Sequence, residues 1–162
     1  MEEVGLHLRA HALNILPTQE READLFGRSA FNRLYYSAYL TTKSILGEVL
    51  SDMPRSHKGT PEYLRALGNG RIASIKRKAL RAGDNKLRQE CTVAKVAASA
   101  LATLLEEANK ARETADYFPE IPVLFRPGHS FSLNATEVEL AKSWPHQARQ
   151  YSRTIIGVIK QE

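Results

Sequence analysis

Apolar residues recur at helical intervals along most of the chain. Val4, Leu8, Ala12 and Ile15 are spaced by four and three, which predicts a short amphipathic helix brought to an end by Pro17. Thr18 then stands as the N-cap of a second helix, with Glu20 and Glu22 favoured beside its N-terminal dipole. Phe31, Leu34, Tyr35, Ala38, Thr42, Ile45, Leu46 and Val49 trace one stripe along that helix. Gly27 is its weak point, at a cost of about 1 kcal/mol relative to alanine. From Ser51 to Gly70 the prolines and glycines predict loop, with a short helix opening at Thr60-Pro61-Glu62 and running from Tyr63 to Leu67. A short basic helix follows over Ile72 to Leu80, stopped by Gly83-Asp84-Asn85. The strongest pattern runs from Lys86 to Tyr117. There Val93, Ala97, Ala100, Leu104, Ala108, Ala111 and Ala115 form a stripe of mostly small residues, which predicts close approach of a neighbouring helix.

Pro119, Pro122, Pro127 and Gly128 forbid regular helix in the next stretch, although Phe118, Ile121, Val123, Leu124, Phe125, Phe131 and Leu133 all need cover. Two readings fit: an irregular strap bound to the helices, which the prolines favour, or a small hairpin of Val123–Phe125 and Ser130–Leu133 over the turn Arg126-Pro127-Gly128-His129. Asn134, with Glu137 three residues on, has the form of a capping box opening a last helix. Val138, Ala141, Trp144, Ala148, Tyr151, Ile155 and Val158 are its buried stripe, and Pro145 predicts a kink within it. With no repeat or linker, the expected architecture is all-α: a single-domain bundle of four or five helices over residues 1–162, with a proline-rich strap or small hairpin before the last helix.

Composition leaves this picture intact and narrows the function. The 162 residues, 43% hydrophobic, suffice for a core and exclude a disordered tail. The single cysteine, Cys91, excludes an internal disulfide and a cysteine-based zinc site. The acidic start Met-Glu-Glu-Val is unlike a secretory signal, and nowhere do about 18 uncharged apolar residues run together as a membrane span requires. The expectation is a cytoplasmic protein with no membrane contact.

Charge changes the picture more. The net charge is +5, but residues 55–88 carry ten basic side chains against Glu62 and Asp84, which makes that segment +8 and the remainder −3. Such a field favours a polyanion, and each neutralised phosphate releases counterions. His57, Lys58, Lys76, Arg77, Lys78 and Arg81 are the candidate nucleic-acid contacts. Only Tyr63 lies among them, so base stacking is not the expected mode. His7 and His11 stand four apart without an evident third ligand, so neither metal nor cofactor is expected. Asn109, Arg112, Glu113 and Asp116 share one helix face, where an Arg112–Asp116 surface ion pair is the simplest reading.

Three segments together resemble a known family. Arg28-Ser29-Ala30-Phe31-Asn32-Arg33-Leu34-Tyr35-Tyr36-Ser37-Ala38-Tyr39 resembles the paired-tyrosine helix of HEPN-domain proteins. Ser56-His57-Lys58-Gly59 resembles the loop that follows it, and Arg112-Glu113-Thr114-Ala115-Asp116-Tyr117 is similar to the late-helix R-x-x-A-D-Y signature. The resemblance spans roughly residues 18–160. It implies a homodimeric helical bundle that binds RNA or a nucleotide, with a nucleotidyltransferase or an antitoxin as partner protein in a toxin–antitoxin or anti-phage system. It assigns Arg112 to the catalytic position; Asp116 and Tyr117 beside it complete the candidate catalytic group, with Asn32, Arg33 and Asn109 as a candidate supporting polar face. Active members are metal-independent endoribonucleases with an R-x(4–6)-H motif, whereas Tyr117, Phe118 and Pro119 stand here where the histidine belongs. Two functions remain open: a non-catalytic binding module, or an endoribonuclease that joins Arg112 to an imidazole from His57, His129 or a second subunit.

Overall fold

The computed structural model describes residues 1–128 and 130–162. His129, the turn histidine considered above, lies outside the described residues. The chain is mostly helical, with α1 (Glu2–Ile15), α2 (Glu20–Gly47), α3 (Gly59–Leu67), α4 (Ala73–Arg81), α5 (Asn85–Tyr117) and α6 (Val138–Ile159). A π-helical turn, Gly68–Ile72, joins α3 to α4 without a break, so among the described residues the six helices make five continuous runs. Three short strands, β1 (Val123–Arg126), β2 (Ser130–Leu133) and β3 (Thr136–Glu137), form an antiparallel sheet in sequence order. Among the described residues no helix is long and apolar enough to cross a membrane.

Two compact units divide the chain: residues 1–38 with 107–145, and residues 39–106 with 146–162. In the first unit, Ala30, Phe31, Leu34 and Tyr35 of α2 bury fully or nearly so, together with Ala108 and Ala111 of α5 and Val138, Ala141 and Trp144 of α6. Gly5 admits α1 to this core, because a Cβ there would lie 2.9 Å from Leu34 Cγ. The buried face of α1 therefore runs through Gly5 and Ala12, while Val4 is exposed. Thr18 does not cap α2. Its hydroxyl donates back to the Ile15 carbonyl and helps to close α1 instead.

The proline-rich segment is the hairpin rather than an irregular strap. β1 and β2 pair from Val123↔Leu133 to Arg126↔Ser130, and Gly128 supplies a positive φ of 90° in their connection. Phe131 meets Phe31 edge-on at 5.9 Å and lies tilted against Phe125 at 5.2 Å; Val123, Phe131 and Leu133 are covered, whereas Phe118 and Leu124 stay exposed, against expectation. Gly27 permits the approach, since a Cβ there would sit 3.2 Å from Val123 and 3.4 Å from Phe131. Asn134 is not a helix cap. With Ala135 it takes positive φ (45° and 63°) in the two-residue turn that carries β2 into β3, the geometry matched to strand twist.

The second unit buries Leu46, Leu50, Leu64, Leu67, Ile72, Ile75 and Ala79 against α5 and the end of α6 residues Ile155, Val158 and Ile159. Here the stripe of α5 departs from the expected one. Ala97 and Leu104 are buried as expected, but Val93 is exposed, and Cys91, Ala94, Ala98, Leu101, Ala102 and Leu105 are buried beside them. Small residues stand on both sides of this helix, so spacing alone could not select the buried line. Pro145 lies inside α6, which continues through it.

Candidate functional site

Two groups of polar side chains carry the candidate chemistry, one in each unit. In the first, α5 supplies Arg112, Asp116 and Tyr117 from its last two turns, and α2 supplies Asn32 and Tyr36 one turn apart. Asp116 accepts a hydrogen bond from the Asn32 amide at 2.8 Å, while Arg112 Nε lies 3.3 Å from Asp116 Oδ2. The Arg112 guanidinium is 5.6 Å from the centre of the Tyr117 ring and 6.0 Å from that of Tyr36, at cation–π distance from both. Burial pulls the pKa of Arg112 down, but its hydrogen bond with Tyr36 and the attraction of Tyr36, Asp116 and Tyr117 outweigh this and hold it above the ordinary value. The cluster is therefore a cation locked among a carboxylate and two phenols.

Arg33 is exposed and lines a hollow of about 300 Å³ with Leu25, Ser29, Asn32 and Asp116. Asn109 does not join the group: its amide donates to Glu113 on its own helix at 2.9 Å. Arg28, the first residue of the paired-tyrosine segment, has a role that spacing did not disclose. Its guanidinium is buried, pairs with Asp24 at 2.7 Å, and donates to the carbonyls of Thr114, Ala115, Phe118, Pro119 and Ile121. These include carbonyls left without helical partners at the C-terminus of α5, where a cation also meets the dipole. Asp24 in turn accepts from the Val123 amide at 2.7 Å, so one ion pair fixes both the end of α5 and the start of β1.

The second group lies on α4 and just before α3. Lys76, Arg77, Lys78 and Arg81 are all exposed, above the buried side chains of Ile75 and Ala79. Lys78 reaches Glu162 at 3.4 Å, and Arg71 bonds the same carboxylate at 2.6 Å. Lys58 is exposed just before α3. His57 is half-buried, with its ring 4.2 Å from that of Tyr39 at an angle of 35°. That tilted ring contact holds the imidazole against α2. His7 and His11 stack on each other at 6.4 Å, and His11 packs edge-on against Phe26.

Sequence reasoning missed Tyr36 as a partner of Arg112 and missed Lys95, which stands seven residues beyond Arg88 on one face of α5. The spacing of Arg88, Cys91 and Lys95 by three and four was the available signal. Comparison with protein-family models, with curated proteins and with solved structures returned no match to this chain.

Proposed function

We propose that this is an RNA- or nucleotide-binding helical module of HEPN-like type, serving a prokaryotic toxin–antitoxin or anti-phage system as a binder rather than as a catalyst. The observation that carries this reading is the exposed row Lys76, Arg77, Lys78 and Arg81 on α4, within a segment of net charge +8. Burying Ile75 and Ala79 leaves four cations of one short helix facing solvent. Phosphate is the ligand that such a row attracts, through Coulomb energy and counterion release.

The chemistry around Arg112 favours binding over cleavage. Cutting RNA without a metal requires a base for the 2′-hydroxyl, an acid for the leaving oxygen and a cation for the phosphate. Arg112 has the charge, but Asp116 already balances it. Its other neighbours, Tyr36 and Tyr117, are phenols and not the imidazole that serves as base or acid in such chemistry. A second copy of the chain, and an antitoxin or nucleotidyltransferase partner, belong to the same proposal.

Fluorescence anisotropy with a labelled single-stranded RNA tests it. Four phosphate contacts predict a loss of about 50-fold in affinity between 50 and 200 mM salt. The double variant Lys78→Glu/Arg81→Glu is expected to weaken binding and flatten that dependence. Affinity indifferent to salt in the wild type would sink the reading. In the same preparation RNA is expected to survive incubation in EDTA; a 2′,3′-cyclic product that disappears in Arg112→Ala would establish the nuclease instead.

A further inference from the structure

Several cations of the chain pair with carboxylates. Arg65 pairs with Glu106, Arg71 and Lys78 with Glu162, Lys86 with Glu90, and Arg126 with Glu137. A groove of about 310 Å³ between α4 and α5 gathers four cations outside these pairs. Lys76 and Arg77 line it from α4, Arg88 and Lys95 from α5, with Leu80 and Cys91 between them. No carboxylate lines it, and among the described residues none of these four cations is in an ion pair. Arg88 donates instead to the neutral amide oxygen of Asn85 at 2.7 Å.

The spacing explains how the charges converge. Lys76, Arg77 and Leu80 occupy one face of α4, and Arg88, Cys91 and Lys95 one face of α5, so two helices bring four long side chains to the edges of one groove. The stem of Lys95 rests on the π-helical turn: its Cγ is 3.6 Å from where a Cβ on Gly68 would stand. Cys91 is fully buried in the floor. Burial pushes its thiol pKa up, and Glu90 and Asp84 add to the rise while the charge of Lys76 opposes it. Four like charges around one hollow repel one another, and a bound anion relieves that repulsion. Leu80, 57% exposed at the edge, adds an apolar surface that a bare inorganic ion would leave unused. The volume lies at the small end of ligand pockets, the size of one nucleotide and not of a duplex.

We infer that the α4–α5 groove is a phosphate-binding seat for a single nucleotide, either free or as one unit of an RNA strand. Lys76, Arg77, Arg88 and Lys95 hold the phosphate, and Leu80 covers the nucleoside. This rests on the polyanion reading above but adds two residues, Arg88 and Lys95, that the outward row of α4 does not need.

Amide chemical shifts of the wild-type protein, followed during titration with inorganic pyrophosphate, adenosine 5′-monophosphate and a single-stranded RNA, test the seat directly. Shifts centred on residues 76, 77, 88 and 95 are expected. If adenosine monophosphate produces them, the source is a free nucleotide; if only the RNA does, it is a unit of a strand. No shift there with any of the three probes overturns the inference. The variant Arg88→Glu/Lys95→Glu is expected to lower RNA affinity by about tenfold or more and to reduce the slope of log affinity against log salt by about 1.4, at about 0.7 per cation on a single strand. RNA binding unchanged in this variant but lost in Lys78→Glu/Arg81→Glu overturns the groove and leaves the proposed function standing. Shifts with adenosine monophosphate in a protein that binds no RNA would keep the groove and remove RNA from the proposal.

Discussion

Arg28 shows how one buried charge can organise a loop. A guanidinium has five donors in a fixed fork, and here they are divided between the Asp24 carboxylate and carbonyls at the end of α5 and in the segment after it. Replacing Arg28 by Met keeps much of the volume but strips those carbonyls of their donor and leaves Asp24 without its cation. The expected loss is about 3 kcal/mol of stability, read from the urea midpoint. Hydrogen exchange is expected to rise first at the Val123 amide, which Asp24 holds. A variant as stable as the wild type would show that the carbonyls are equally well served by water. Arg112 is a different kind of residue, an arginine flanked by rings and half of an ion pair, so its sequence position gave its helix face but not its neighbours across it.

At the scale of elements, the glycine at position 27 connects helix and sheet. Its weak helix propensity looks like a defect until Val123 and Phe131 are seen at 3.2 and 3.4 Å from its absent side chain. Gly27→Leu is expected to destabilise the protein by about 1–3 kcal/mol through overpacking. Gly157→Ala serves as the control, because nothing lies within 4 Å of a Cβ at that position of α6, and it is expected to stabilise by about 0.5–1 kcal/mol. Calorimetric midpoints moving in the same direction for both variants would refute the close-approach argument. The helices themselves were legible to within a few residues, because a stripe such as Phe31, Leu34, Tyr35 and Ala38 has a single period to match. The turn at Asn134 and Ala135 was not. Asn followed by Glu three residues on reads equally as a cap or as part of a tight turn, and the pairing of β2 with β3 is what selects the turn.

For the whole molecule, the balance of charge sets a direction of pH dependence. Glu139 takes hydrogen bonds from Lys142 at 2.7 Å and from Arg9, and the Lys142 bond, ahead of the attraction of Arg9, holds its carboxyl below the ordinary value of 4.5 against the opposing effect of burial. Glu162 is lowered in the same way, first by its hydrogen bond to Arg71. A carboxyl whose folded pKa lies below its unfolded one contributes stability in full above the unfolded value, and that contribution is lost as pH falls through the folded value. Stability is therefore expected to decline on acidification below about pH 4.5, where loss of carboxylates also raises the net positive charge. Glu139→Gln is expected to lower the thermal midpoint at pH 7 and to make less difference at pH 3. An equal effect at both values would exclude the ionised carboxylate as the cause.

The sequence by itself determined the helices, the single cysteine, and a positive segment between two long helices, because periodicity, composition and charge are local properties of the chain. It also placed Arg112 and Asp116 on one helix face. Only the tertiary structure decided which of the small residues of α5 are buried, that the prolines frame a hairpin, and that Asn32 and Tyr36 meet the Arg112 cluster. It alone gathered Arg88 and Lys95 opposite Lys76 and Arg77. The physical reason is the same in each case: a helix pattern fixes which residues share a face, but the partner facing it comes from a distant part of the chain and is chosen by packing.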